Sequence, residues 1–190
     1  MADPAADPST VDRIGDVSVS RVVDAPRSLV WQVWTQRDHI AAWWGPRGFS
    51  TPRCEWDARA GGAIRIDMQG PDGSVHRMGG AFREVEPERR LVFQSSVPDP
   101  SGGLLFEVLT TVTLADAAPH GTRVTVEARV LSAAPEARPF LGGAQIGWTQ
   151  SIERLQSYAE AVRAGRGAPT LPAPPPDAAT KISAPSEHGR

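Results

Sequence analysis

Acid–base, nucleophilic or metal chemistry would fall in this chain to four histidines, one cysteine and a few carboxylates on strand-like segments. Metal sites need ligands grouped on one element or gathered as thiolate and imidazole sets. His39, His76, His120 and His188 lack such spacing, and the single Cys54 can form neither an intrachain disulfide nor a Cys-based zinc cage. Cys54 reads as a small buried hydrophobe before it reads as a nucleophile. No Walker A loop, G-x-G-x-x-G, G-x-S-x-G, H-E-x-x-H or C-x-x-C run occurs. Asp57, Asp67, Glu84 and Glu107 lie on strands, where burial would raise a carboxyl pKa toward proton transfer. Solvated or Arg-paired positions are the simpler reading, with Arg65, Asp67 and Arg77 as partners across a hairpin. No catalytic set, cofactor or metal site is expected.

Binding chemistry is better represented. Five of the six tryptophans fall between Trp31 and Trp56, and Trp43 and Trp44 run into a Gly45-Pro46-Arg47-Gly48 loop. Neighbours at a short helix end point in different directions, so one of these rings is expected to gate a pocket. Apolar pockets are lined mainly by hydrophobic and aromatic side chains with few polar groups. Met78, Phe82, Phe93, Phe106 and Trp148 supply that type, and His76 is the histidine whose strand could turn it inward.

The elements that must hold these residues show two periodicities. Val17 to Val22 alternates as a half-buried strand, and Pro26 to Thr35 then repeats apolar residues at helical spacing. A second short helix covers Arg37 to Trp43. Strands are expected at about Arg53–Ala58, Ala63–Gln69, Ser74–Val85, Arg90–Val97, Leu104–Ala115 and Thr122–Leu131. Their short connections imply antiparallel pairing. Gly70-Pro71-Asp72-Gly73 is a tight turn, and Gly79-Gly80 suggests a bulge. One helix is expected from Arg138 to Ala164, with Leu141, Gln145, Trp148, Ile152, Leu155, Ala159 and Val162 inward and Gln150, Glu153, Arg154 and Glu160 outward. About 25 residues give about 38 Å of helix, long enough for a sheet to wrap.

Composition sets the outer limits. With 22 acidic against 20 basic residues and a net charge of -2, there is no cationic footprint for nucleic acid. No run of 18 apolar residues supports membrane insertion. One cysteine and no signal-peptide pattern make the cytoplasm the expected compartment. Residues 1–16 and the Pro-rich 165–190 cannot bury enough apolar surface to order themselves and are expected to be disordered, leaving one domain over 17–164.

Ordered motifs carry a resemblance to a known family. Ala25-Pro26 with Val30-Trp31-Gln32-Val33-Trp34-Thr35, then Trp43-Trp44-Gly45-Pro46-Arg47-Gly48-Phe49, then Arg59-Ala60-Gly61-Gly62-Ala63-Ile64-Arg65 open the series. Gly80-Ala81-Phe82-Arg83-Glu84-Val85-Glu86-Pro87, Arg90-Leu91-Val92-Phe93, Gly121-Thr122-Arg123-Val124-Thr125 and Gly147-Trp148 continue it. Over about Val17 to Val162 the chain resembles the activator of heat-shock-protein-90 ATPase homologues, within the START-like SRPBCC superfamily.

The resemblance implies an α+β helix-grip fold: a curved antiparallel sheet of about seven strands around a long C-terminal helix, with two short helices after the first strand. It also implies a cavity for a small hydrophobic ligand. Trp148 and Ile152 would form the helix wall, Phe82, Phe93, Phe106 and Val108 the sheet wall, and Trp44 and Phe49 the mouth, with His76 and Met78 in reach. Relatives often carry a His or acidic residues where this chain has Ala144-Gln145-Ile146, which argues against acid–base work by that helix. Two further readings stand beside ligand binding. One is a cyclase- or hydrolase-type enzyme with His76, Asp67 or Arg65 in the cavity. The other is an interaction module, a chaperone partner or stress-response accessory, using an exposed aromatic patch at Trp43 and Trp44. A monomer and a homodimer paired through edge strands are both compatible with such a sheet.

Overall fold

Seven segments with period-two burial become strands, and the order in which they pair explains why two helices interrupt them. The computed structural model describes residues 15–166. The strands are β1 (Val17–Val23), β2 (Ser50–Trp56), β3 (Ala63–Gln69), β4 (Val75–Glu86), β5 (Arg90–Pro98), β6 (Leu104–Ala117) and β7 (Gly121–Ala133). They form one antiparallel sheet in the order β1-β7-β6-β5-β4-β3-β2. After β1 the chain must reach the opposite edge of the sheet. Helices α1 (Arg27–Thr35) and α2 (Arg37–Trp43) carry it there, and β2 to β7 then return strand by strand to β1.

The expected strands and the two short helices form. Helix α1 buries Val30, Val33 and Trp34, as its helical spacing requires, and α2 buries Ile40 and Trp43. The β3–β4 turn closes with Gly70 N donating to Ser74 O at 2.8 Å, and Gly73 adopts φ 82°. The sheet bulge differs from expectation: register shifts between Phe82 and Glu84 and not at the glycine pair. Gly80 serves close approach instead, since a Cβ there would lie 2.1 Å from the Gln94 carbonyl oxygen.

The C-terminal helix also departs from expectation. It breaks into α3 (Arg138–Gly142) and α4 (Ala144–Arg163) after a 3₁₀ turn, because Gly142-Gly143 sits where two poor helix formers meet. The main helix is therefore 20 residues, about 30 Å long. It packs on β1 and on α1 and α2. Residues 1–14 and 167–190, most of the expected disordered segments, lie outside the described residues. Gly15 and Asp16, expected in the N-terminal arm, are described: the Asp16 carboxylate accepts a hydrogen bond from Val130 N at 2.8 Å.

The core is graded along the groove. One end is filled by rings: Trp34 lies 4.8 Å from Trp43 between centroids, Trp56 5.0 Å from Phe82 and 5.3 Å from Phe93. Backbone carbonyls satisfy two of the indoles, with Trp43 Nε1 donating to Val33 O and Trp56 Nε1 to Trp34 O. Such offset, edge-on contacts are the favoured geometry for aromatic pairs. Trp43 and Trp44 are 0% and 5% exposed, so the exposed aromatic patch expected of an interaction module does not exist.

Candidate functional site

Away from the packed end, the space between α4 and the sheet is hollow. A cavity of about 370 Å³ lies there, within the roughly 300–1,000 Å³ of small-molecule sites. Eight of the ten residues expected to meet a ligand line it: Trp44, Phe49, His76, Met78, Phe93, Phe106, Val108 and Trp148. Phe82 and Ile152 do not. Both are buried within the packed core, the Phe82 ring against those of Trp56 and Phe93, and neither reaches the hollow.

Alternation explains the sheet wall. His76 and Met78 come from β4, Phe93, Ser95 and Val97 from β5, Phe106, Val108 and Thr110 from β6, and Ala128 from β7. The helix wall is Ala144, Gly147, Trp148 and Ser151, one face of α4. Trp44, expected at the mouth, is instead the partition between the two ends. Its ring lies 5.2 Å from Trp56 on the packed side and 5.6 Å from Trp148 on the hollow side. The rim belongs to Phe49, His76 and Phe140, with His76 5.9 Å from Phe49 and 6.2 Å from Phe140. Phe140, 49% exposed, was not expected at the site. Helices α3 and α4 are interrupted at Gly143, so a helical wheel drawn as one continuous helix does not place Phe140 there.

The carbonyls of the loop from Trp44 to Phe49 converge on one guanidinium. Arg154, expected on the solvent face of α4, bends back and donates from Nη1 to the carbonyls of Gly45 and Pro46 at 2.9 Å, Phe49 at 3.1 Å and Trp44 at 3.3 Å. Its Nη2 donates to Ala42 O. A guanidinium offers five donors in a fixed fork, which suits a knot of carbonyls. Burial lowers the Arg154 pKa from its ordinary value. Glu153 adds a second tie by accepting from Arg21 and Arg47.

Charge is nearly absent from the lining. Among the described residues that line it, no carboxylate contributes, His76 is the one imidazole, and Arg77 is the one permanent cation. The catalytic reading loses two of its three residues, because Arg65 and Asp67 alternate onto the outer face of β3 between Ile64, Ile66 and Met68. There Arg65 pairs with Glu55 at 2.6 Å, and both Arg65 and Asp67 line a shallow outer groove with Arg53 and Arg77. Cys54 packs against the core, and burial pushes its thiol up to about 12, far from a thiolate nucleophile. His39, at the α2–α4 contact, bonds through Nδ1 to the Tyr158 hydroxyl at 2.7 Å. His120 is exposed at the β6–β7 turn. Among the described residues, no group of three or more His, Cys, Asp or Glu is placed to hold a metal ion. No described helix is long and apolar enough to cross a membrane.

A curled antiparallel sheet gripping a C-terminal helix over an apolar cavity defines a START-like, helix-grip protein. Residues 24–160 match the family described as Activator of Hsp90 ATPase homolog 1-like protein, and the chain belongs to that family. No curated protein matches it. Among solved structures it is similar to CV1439 from Chromobacterium violaceum, at 27% identity, with 77% of this chain and 98% of that one covered and a TM-score of 0.63. It is also similar to NE0264 from Nitrosomonas europaea, at 26% identity over 83% and 100% of the two chains, with a TM-score of 0.66. An AHSA1 protein from Silicibacter pomeroyi shares the fold at 20% identity over 80% and 99%, with a TM-score of 0.64.

Proposed function

We propose that this protein binds and sequesters or carries a small, mainly apolar molecule in the cavity between α4 and the sheet, acting in the cytoplasm. The observation that carries the reading is the hollow itself. Close packing is the rule in protein interiors, and an unfilled space forfeits the dispersion contacts its walls would make. Here a groove whose other end is packed with indoles stays open over about 370 Å³, lined by Met78, Val97, Phe106, Val108 and Trp148. With Arg65 and Asp67 on the outer face, His76 alone remains for acid–base work, so binding is favoured over turnover.

Native mass spectrometry of protein purified gently from its own host tests this. A discrete added mass that is lost on denaturation supports the reading. A bare mass, together with no change in tryptophan emission across a broad panel of apolar compounds, contradicts it.

A further inference from the structure

Five polar side chains are buried among the described residues, and they divide into two groups. Thr51, Thr122 and Ser151 are each satisfied by a backbone carbonyl: Thr51 Oγ1 donates to Trp44 O, Thr122 Oγ1 to Ala25 O and Ser151 Oγ to Gly147 O. Ser95 and Thr110, 7% and 1% exposed, have no hydrogen-bond partner for their hydroxyls among the described residues. Nor are these oxygens sealed in: the sealed, unpartnered polar atoms are Arg27 Nε, Trp34 Nε1 and Arg90 Nε. Both residues line the cavity.

Their placement is specific. Thr110 stands in the inward row Phe106, Val108, Thr110, Val112 and Leu114 of β6, and Ser95 in the inward row Leu91, Phe93, Ser95 and Val97 of β5. Phe93 pairs with Thr110 and Ser95 with Val108, so the two hydroxyl residues are diagonal neighbours on one sheet face. Diagonal Cβ atoms lie within about 7–8 Å, a span that one ligand atom can bridge. Valine would fill the Thr110 site with the same β-branched shape and leave no hydroxyl to satisfy.

We infer that the ligand is an uncharged, mainly apolar molecule whose leading end carries one hydrogen-bonding oxygen, a hydroxyl or a carbonyl, seated on Thr110 and Ser95. This rests on the binding reading above and adds polarity and orientation to it. Hydroxyls both donate and accept, so either oxygen type is satisfied. An ammonium would meet no carboxylate in the lining, and a carboxylate seated there would lie opposite Gly80, three residues along β4 from Arg77, the one lining cation, so either would lose its hydration without compensation. The apolar body then lies between Trp148 and the Phe106–Val108 wall, toward the rim at Phe49, His76 and Phe140.

The test measures the affinities of naphthalene, 1-naphthol and 1-naphthoate for the parent protein and for Thr110→Val and Ser95→Ala, with thermal melts confirming that each variant folds. The parent is expected to prefer 1-naphthol over naphthalene by about three- to tenfold, the worth of one neutral hydrogen bond. Thr110→Val should erase that preference while binding naphthalene at least as tightly, and Ser95→Ala should reduce it. Naphthoate should bind weakest. Naphthalene bound with no hydroxyl preference, or a preference that survives both substitutions, overturns this inference and leaves the binding reading standing. Tightest binding of naphthoate overturns it also. Failure of all three compounds to bind overturns both.

Discussion

The two ends of the groove are built on the same sheet and the same helix, yet one is solid and the other hollow. At the solid end the inward rows present Ile64, Ile66, Phe82 and Leu91, and α1 and α2 deliver Trp34 and Trp43 to meet them. At the hollow end the inward rows present Ser95, Thr110 and Ala128, and α4 faces them with Ala144, Gly147 and Ser151. Small residues on both walls leave a gap that no ring from the short helices can reach, because Trp44 closes the way. Curvature therefore sets the width of the groove, and side-chain volume decides where it is filled.

The largest effect should come from emptying the solid end. Trp34→Ala or Trp43→Ala is expected to cost about 3–5 kcal/mol in denaturant unfolding, the range for large aromatic deletions from a core. A loss near zero would mean that the ring cluster is not close-packed.

The tie across the partition comes next. Arg154→Met leaves the carbonyls of Gly45 and Phe49 without their side-chain donor, while Pro46 O keeps Phe49 N, at an expected cost of about 1–3 kcal/mol. Hydrogen exchange should quicken at residues 44–49 while β6 and β7 amides stay protected. Unchanged exchange in that loop would show that the knot does not hold it.

Filling the hollow should do the opposite of emptying the core. Ala128→Leu projects into free space, so stability should stay within about 1 kcal/mol of the parent, below the usual 1–3 kcal/mol penalty for overpacking. Affinity for an apolar probe, measured by fluorescence titration, should fall by about tenfold or more, a change of about 1.4 kcal/mol. A large stability loss with binding intact would reverse the assignment of hollow and solid.

The smallest effect is electrostatic and lies on neither wall. Burial lowers the His39 pKa below 6.5, only partly offset by Asp38. As pH falls through 6.5, the unfolded chain takes up a proton before the folded one, so stability declines until the lower folded value is passed. His39→Gln should flatten that part of the melting-temperature profile, and an unchanged slope would assign it to other groups.

Most of the fold was legible because period-two and period-3.6 patterns report which side of an element faces in. They do not report which inward residues neighbouring rings will cover. That is why Phe82 and Ile152, inward as expected, lie in the solid end and not at the cavity. Arg154 was illegible for a related reason: a helical wheel places its Cα on the polar face, while its long stem lets the guanidinium reach back to the loop. Ser95 and Thr110 left no signal, since a strand tolerates both residue types and only the finished walls show which hydroxyls lack a partner. The glycine pair at Gly142-Gly143 was visible, and its helix break moved Phe140 to the rim.

The most direct test of the hollow-and-solid account is methyl-labelled NMR of the parent protein titrated with 1-naphthol. Shift changes confined to Val97, Val108 and Leu141, with Ile64, Ile66 and Leu155 unmoved, are the result the account predicts. Saturating changes at the solid-end methyls, or changes only at exposed positions such as Val22 and Ile146, would contradict it.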